Sequence, residues 1–108
     1  MNVGIDLVKI SRFKKSPYDN NESFYKKNFS SDEIEYCLKF NNPYIHFAGK
    51  FAIKEAVKKT MRERLELFEI VTFYDNEKPC VKILDRDLNF KVSVSHDGDY
   101  AIAIVISE

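Results

Sequence analysis

Ala48-Gly49-Lys50-Phe51-Ala52-Ile53-Lys54-Glu55-Ala56-Val57, followed past Leu65 by Phe68-Glu69-Ile70-Val71-Thr72-Phe73-Tyr74, is the stretch on which the fold turns. In the first half alanines recur every four residues, at 48, 52 and 56, joined by Ile53 and Val57, which is one face of a helix. The spacing predicts a helix from about Tyr44 to Arg64. In the second half the apolar period drops to two, and the same rule predicts a strand. Asp75-Asn76-Glu77-Lys78 reads as a turn, with Cys80 to Leu84 as the return strand of a hairpin. Phe90 to Ser95 and Tyr100 to Ser107 form a second strand pair, joined by His96-Asp97-Gly98-Asp99. Upstream, Ser30-Ser31-Asp32-Glu33 is a capping box opening a helix to about Phe40, stopped by Asn41-Asn42-Pro43. Residues 9 to 29, broken by Ser16-Pro17 and Asp19-Asn20-Asn21, suit short helices. Val3 to Val8 reads as a strand. Helices first and antiparallel strands later, with one strand at the start, make the class α+β: an antiparallel sheet packed against one long helix and shorter helices.

With 108 residues the chain is expected to form a single domain over 1–108. Nine Phe and six Tyr within 44% hydrophobic residues favour a packed globule over disorder. Lys plus Arg and Asp plus Glu balance at 17 each, so net charge names no partner. Basic residues do cluster, at Lys9, Arg12, Lys14, Lys15, Lys26 and Lys27, and again from Lys50 to Arg64; solvated helix faces, an acidic partner or a polyphosphate all fit. Cys37 and Cys80 lie far apart without metal-ligand spacing, so reduced thiols are expected. Asp6 interrupts the only apolar run near the start and no stretch approaches a membrane span. A cytoplasmic location and no membrane partner follow as expectations. No RNA-binding signature accompanies the basic segment 9–29, so no nucleic-acid partner is expected.

Three positions stand out chemically. Asp6 falls mid-strand between Ile5 and Leu7, where a carboxylate is costly unless paired or metal-bound; a solvent-facing edge strand would also accommodate it. On a helical wheel Lys50, Lys54, Lys58 and Arg62 gather on one side, read as solvated, while Glu55 and Lys59 lie nearer the alanine face. Glu55 suits either an i,i+4 ion pair with Lys59 or a metal contact. Two carboxylates with phosphate oxygens make an acceptable Mg²⁺ site. His96 opens a turn between strands, a loop position of the kind that carries function. A Ser95-His96-Asp97 triad is discarded, because adjacent strand residues point to opposite faces.

Gly4-Ile5-Asp6, the block Phe47-Ala48-Gly49-Lys50-Phe51-Ala52-Ile53-Lys54-Glu55-Ala56, Lys78-Pro79 and Val94-Ser95-His96 occur in the order and at about the spacing seen in holo-acyl-carrier-protein synthases, which the chain resembles along nearly its whole length. The resemblance implies an enzyme that moves 4′-phosphopantetheine from coenzyme A to a serine of an apo-acyl carrier protein, releasing adenosine 3′,5′-bisphosphate in a Mg²⁺-dependent reaction. By the same resemblance Asp6 and Glu55 hold the metal. Glu55 and Lys59 serve catalysis, and Lys50, Lys59, Arg62 and His96 contact coenzyme A, Lys50 standing where many members carry Arg. Arg12 is similar to residues that meet the carrier protein, and the family's homotrimers imply a site at a subunit interface. Two departures are visible: Thr60 to Leu65 lacks the usual glycines, and Asp97 stands where a hydroxyl residue is common. The alternative is a non-catalytic relative that binds the carrier protein or coenzyme A.

Overall fold

A strand that turns one side chain in two toward a helix needs something small wherever the two backbones meet, and β1 (Asn2–Lys9) supplies it. In a computed structural model describing residues 1–108, β1 directs Gly4, Asp6 and Val8 inward and Val3, Ile5 and Leu7 outward. β1 pairs antiparallel with β5 (Tyr100–Ser107), which pairs on its other edge with β4 (Phe90–Asp97), giving the order β1-β5-β4. The first and last strands of the chain are therefore neighbours. β2 (Ile70–Asp75) and β3 (Lys78–Ile83) form a separate two-stranded hairpin. Asn76 and Glu77, at φ 51° and 68°, make its two-residue turn. The single sheet read from the sequence is thus two sheets.

The long helix α4 (Pro43–Thr60) lies across the inner face of the three-stranded sheet. Its far side meets the β2–β3 hairpin and three short helices, α1 (Ile10–Lys14), α2 (Glu22–Asn28) and α3 (Ser31–Leu38). Pro43 does not merely stop α3; it is the first residue of α4, and Asn42 accepts from the Tyr44 amide at 3.3 Å. α4 ends at Thr60 rather than Arg64: the Thr60 hydroxyl donates to the Val57 carbonyl at 2.7 Å, and Met61 is extended. The expected strand from Phe68 begins instead at Ile70, because Glu69 accepts from the Glu66 amide at 2.8 Å and closes a 3₁₀ turn over Leu67–Glu69. β4 runs through His96 to Asp97, two residues further than expected. Gly98 at φ 56° allows a turn so tight that Asp97 still pairs with Tyr100. Beside it, Asp99 accepts from the Ser11 amide at 2.9 Å and the Ser11 hydroxyl at 2.7 Å, pinning the start of α1.

Two features hold α4 in place. Gly4 is the first: a Cβ there would stand 1.9 Å from the Ala56 carbonyl oxygen and 3.2 Å from Lys59 Cβ. The second is a buried charge network. Lys54 and Glu33 are 0% and 1% exposed and pair at 2.7 Å. Lys54 also donates to the Asn28 carbonyl at 2.8 Å, and Glu33 accepts from the Ser30 amide, the Thr72 amide and the Thr72 hydroxyl. The capping box is present, with its glutamate additionally spent on tying α3, α4 and β2 together. Burial by itself would raise the Glu33 carboxyl, but the Lys54 ammonium and the hydrogen bonds from Lys54, Thr72 and Ser30 outweigh it and hold the group below the ordinary carboxylate range. Lys54 is thus no part of a solvated face, nor is Lys50, which is 4% exposed. Both carry their ammonium groups into contacts with α3 and β2.

Gly4→Ala is expected to lower unfolding free energy by about 1–3 kcal/mol, because β1 must back away from α4. Gly49→Ala, whose Cβ would meet only Val94 Cγ2 at 3.5 Å, is expected to be neutral or stabilising. Urea unfolding of the two variants checks the contrast.

Candidate functional site

Asp6 and Lys59 come together at the crossing that Gly4 permits. Lys59 reaches back over β1 and donates to the Ile5 carbonyl at 2.7 Å and to Asp6 Oδ1 at 3.2 Å. Asp6 retains 17% of its side-chain exposure. Glu55 is half-buried one turn before Lys59, next to the Ala56 carbonyl that faces Gly4. Its recorded pairing is a loose 3.8 Å contact with Lys58, so the expected alternative, an ion pair with Lys59, is not what forms. Asp6 is not a solvent-facing carboxylate either; it is on the helix side of the sheet. No group of three or more His, Cys, Asp or Glu side chains assembles anywhere in the chain. A cation at this crossing would take at most two carboxylates from one chain and fill its shell with water and phosphate oxygens. That donor set suits Mg²⁺, which keeps several waters and favours substrate phosphate.

Lys50 and His96 meet elsewhere. They line a cleft of about 160 Å³ between α4, β2 and β4, together with His46, Gly49, Tyr74 and Ser95. Lys50 donates to the Thr72 hydroxyl at 3.0 Å, with Tyr36 and Tyr74 ring centroids 4.8 and 5.1 Å from its ammonium. Burial pulls the amine below the usual lysine range. Its only direct partners are a hydroxyl and two aromatic faces, without a carboxylate. His96 is in β4, on the row Val8–Ala101–His96 that faces α4. The cleft and the carboxylate crossing lie on opposite edges of the sheet, over β4 and β1. They are separated by two strand spacings, or seven residues of α4, each roughly 10 Å. Arg62 joins neither group. It is exposed in the irregular segment after α4, out of phase with Lys50, Lys54 and Lys58.

A sequence profile of the 4′-phosphopantetheinyl transferase superfamily matches residues 2–105. The chain belongs to that superfamily. It is 36% identical over 108 residues to the holo-[acyl-carrier-protein] synthase of Thermodesulfovibrio yellowstonii, covering 96% of this chain and 95% of that one. To the Chlamydia trachomatis synthase it is 37% identical over 116 residues, with 98% of each chain covered. Among solved structures, the Helicobacter pylori holo-[acyl-carrier-protein] synthase in complex with coenzyme A superposes with a TM-score of 0.83 at 27% identity, covering 98% and 99% of the two chains.

The cleft-lining residue that the sequence reading missed is His46. Its signal was available, since it precedes Lys50 by one helical turn and therefore shares its face. Tyr74 left no comparable signal, because only the packing of the hairpin against α4 brings it to the cleft.

Lys50 and Lys54, one turn apart, are expected to respond oppositely to the same change. Lys54→Met strands the Glu33 carboxylate and costs about 3–5 kcal/mol; Lys50→Met removes a buried cation without a carboxylate partner and leaves stability unchanged or raised. Thermal unfolding of both variants distinguishes a structural lysine from one held ready for a ligand.

Proposed function

We propose that this chain transfers 4′-phosphopantetheine from coenzyme A to a serine of an apo-acyl carrier protein, releasing adenosine 3′,5′-bisphosphate. The observation that carries the reading is the pairing of Asp6 with Lys59 at the β1–α4 crossing, with Glu55 one helical turn before Lys59, in a chain related over nearly its full length to holo-[acyl-carrier-protein] synthases. Asp6 and Glu55 would hold Mg²⁺, which supplies charge neutralisation at the pyrophosphate. The serine oxygen forms a bond to the β-phosphorus as the bond to the bridging oxygen breaks, and adenosine 3′,5′-bisphosphate departs. Phosphoryl transfer asks the protein mainly for positioning and opposing charge. Lys59, anchored on the Ile5 carbonyl, places its ammonium at that charge. Glu55, only loosely engaged by Lys58, has lone pairs free to accept the serine proton. Arg62, beyond the end of α4, adds an exposed cation for the coenzyme where a glycine cradle is absent. Arg12, Lys14 and Lys15 are exposed on and just after α1 and offer a basic edge to an acidic carrier.

The cleft is too small for a whole coenzyme, since ligand pockets of that size class run to roughly 300–1,000 Å³. A site completed by a second subunit resolves this, and the outer sheet face supports it. Val3, Ile5 and Leu7 are 61%, 53% and 60% exposed, and register aligns Ile5 with Ile104 and Ser93, and Leu7 with Ile102 and Ser95. These central rows hold no charge, which fits a further copy of the chain better than an acidic carrier. The working form is a homotrimer, with Cys37 and Cys80 as free thiols in the cytoplasm.

Intact mass of an apo-carrier protein incubated with the chain, coenzyme A and Mg²⁺ is expected to rise by one phosphopantetheine. Asp6→Asn and Glu55→Gln are each expected to slow this by about 10²-fold or more with little change in Tm. Binding of coenzyme A without any transfer would favour a non-catalytic relative, a reading that the glycine-free segment after α4 supports. Leu7→Lys combined with Ile104→Asp is expected to yield monomers in sedimentation velocity and to abolish transfer; monomers with normal turnover would mean a site complete within one chain.

A further inference from the structure

The cleft over β4 holds three nitrogen bases and no acid. His46 and Lys50 enter it from α4 and His96 from β4, and the ion pairs of the chain all lie elsewhere. His46 is half-buried and held in one orientation. Its ring stacks on Phe40 at a centroid distance of 3.7 Å and meets the Tyr36 edge at 6.0 Å. The titratable groups around it are Lys50 on its own helix, Tyr36 on α3, Tyr74 on β2 and His96 on β4, with Cys37 of α3 close to Lys50. Burial, then the neighbouring His96 and Lys50, lower the His46 imidazole below the usual histidine range, so it carries little charge near neutral pH.

Coenzyme A presents two kinds of phosphate. The pyrophosphate is assigned above to the carboxylate crossing. What remains is the 3′-phosphate, a monoester dianion at neutral pH whose charge calls for more than one cation and whose size suits a small cleft. We propose that His46 is a specificity-determining residue that recognises the 3′-phosphomonoester of coenzyme A together with Lys50 and His96, taking up a proton as the phosphate enters. The inference rests on the transferase reading for the identity of the ligand, and on the cleft geometry for the role of His46. An arriving dianion offsets the neighbouring Lys50 ammonium and favours the charged His46 imidazole, so binding and protonation reinforce each other. The same arrangement explains why an imidazole is held against Phe40 and Tyr36 where no acid steadies it. A fixed ring is ready to donate two hydrogen bonds once charged.

Titration calorimetry of the intact protein with coenzyme A and with dephospho-coenzyme A, from pH 6 to pH 8 and in two buffers of different ionisation heat, tests this. For the unaltered chain, coenzyme A affinity is expected to fall about fivefold from pH 6.5 to pH 8, with net proton uptake. Dephospho-coenzyme A is expected to show neither effect. His46→Gln and His46→Phe, the second of which keeps the aromatic stack, are both expected to lose the proton uptake. In both, the preference for coenzyme A over its dephospho form should shrink about tenfold. Variants that retain the preference and the uptake overturn the role of His46 while leaving the transferase reading untouched. If the unaltered chain binds neither compound and modifies no carrier protein, the transferase reading itself fails.

Discussion

The backbone of β1 lies directly against the backbone of α4, with only the hydrogens of Gly4 between them, and the chemistry of the molecule depends on that approach. A Cβ at Gly4 would collide with the Ala56 carbonyl. Two residues along, on the same face of the strand, stands Asp6; one residue before Ala56 on the helix stands Glu55 and three after it Lys59. The close crossing thus brings residues about fifty positions apart within reach, and Lys59 bridges them by reaching over β1 to the Ile5 carbonyl and Asp6. Moving the strand outward by the width of a methyl group would leave the fold recognisable and stretch the contacts of Lys59 with β1.

The lysines of α4 show how one helix serves several purposes through angular position alone. Lys54 points into the body of the protein and is neutralised by Glu33. Lys50, one turn earlier, shares that inward direction but finds only the Thr72 hydroxyl and two tyrosine faces, and so borders the cleft with its charge incompletely answered. The Thr72 hydroxyl accepts from Lys50 and donates to Glu33, which ties the cleft to the interior network. Lys59 lies toward the crossing. Since the sheet, the hairpin and α3 all grip α4, its carboxylate end and its cleft end are held at a fixed separation.

Much of this was legible in the residues. The change of hydrophobic period after Leu65 located the long helix and the hairpin, and the Ser30/Glu33 capping box was readable letter by letter. Asp6 stood out as a carboxylate inside an apolar run, and it does lie on the helix side of the sheet, against Lys59. What was not legible depended on tertiary contact. A helical wheel cannot tell a solvated lysine face from one covered by another helix, which is why Lys50 and Lys54 look exposed in the sequence and are buried in the fold. The division into two sheets follows from β1 pairing with β5 across the whole chain length, which no local pattern records. His96 reads as a turn residue because the turn that follows it is tight enough to need only Gly98 and Asp99.

The account is tested most directly by a crystal structure of the protein with coenzyme A and Mn²⁺, read through the anomalous signal of the metal. The expected result is one strong anomalous peak bounded by the Asp6 and Glu55 carboxylates and a pyrophosphate oxygen, with Lys59 moved off Asp6 toward the phosphate. A coenzyme A complex without a peak at that crossing, with Lys59 still bonded to Asp6, would contradict it.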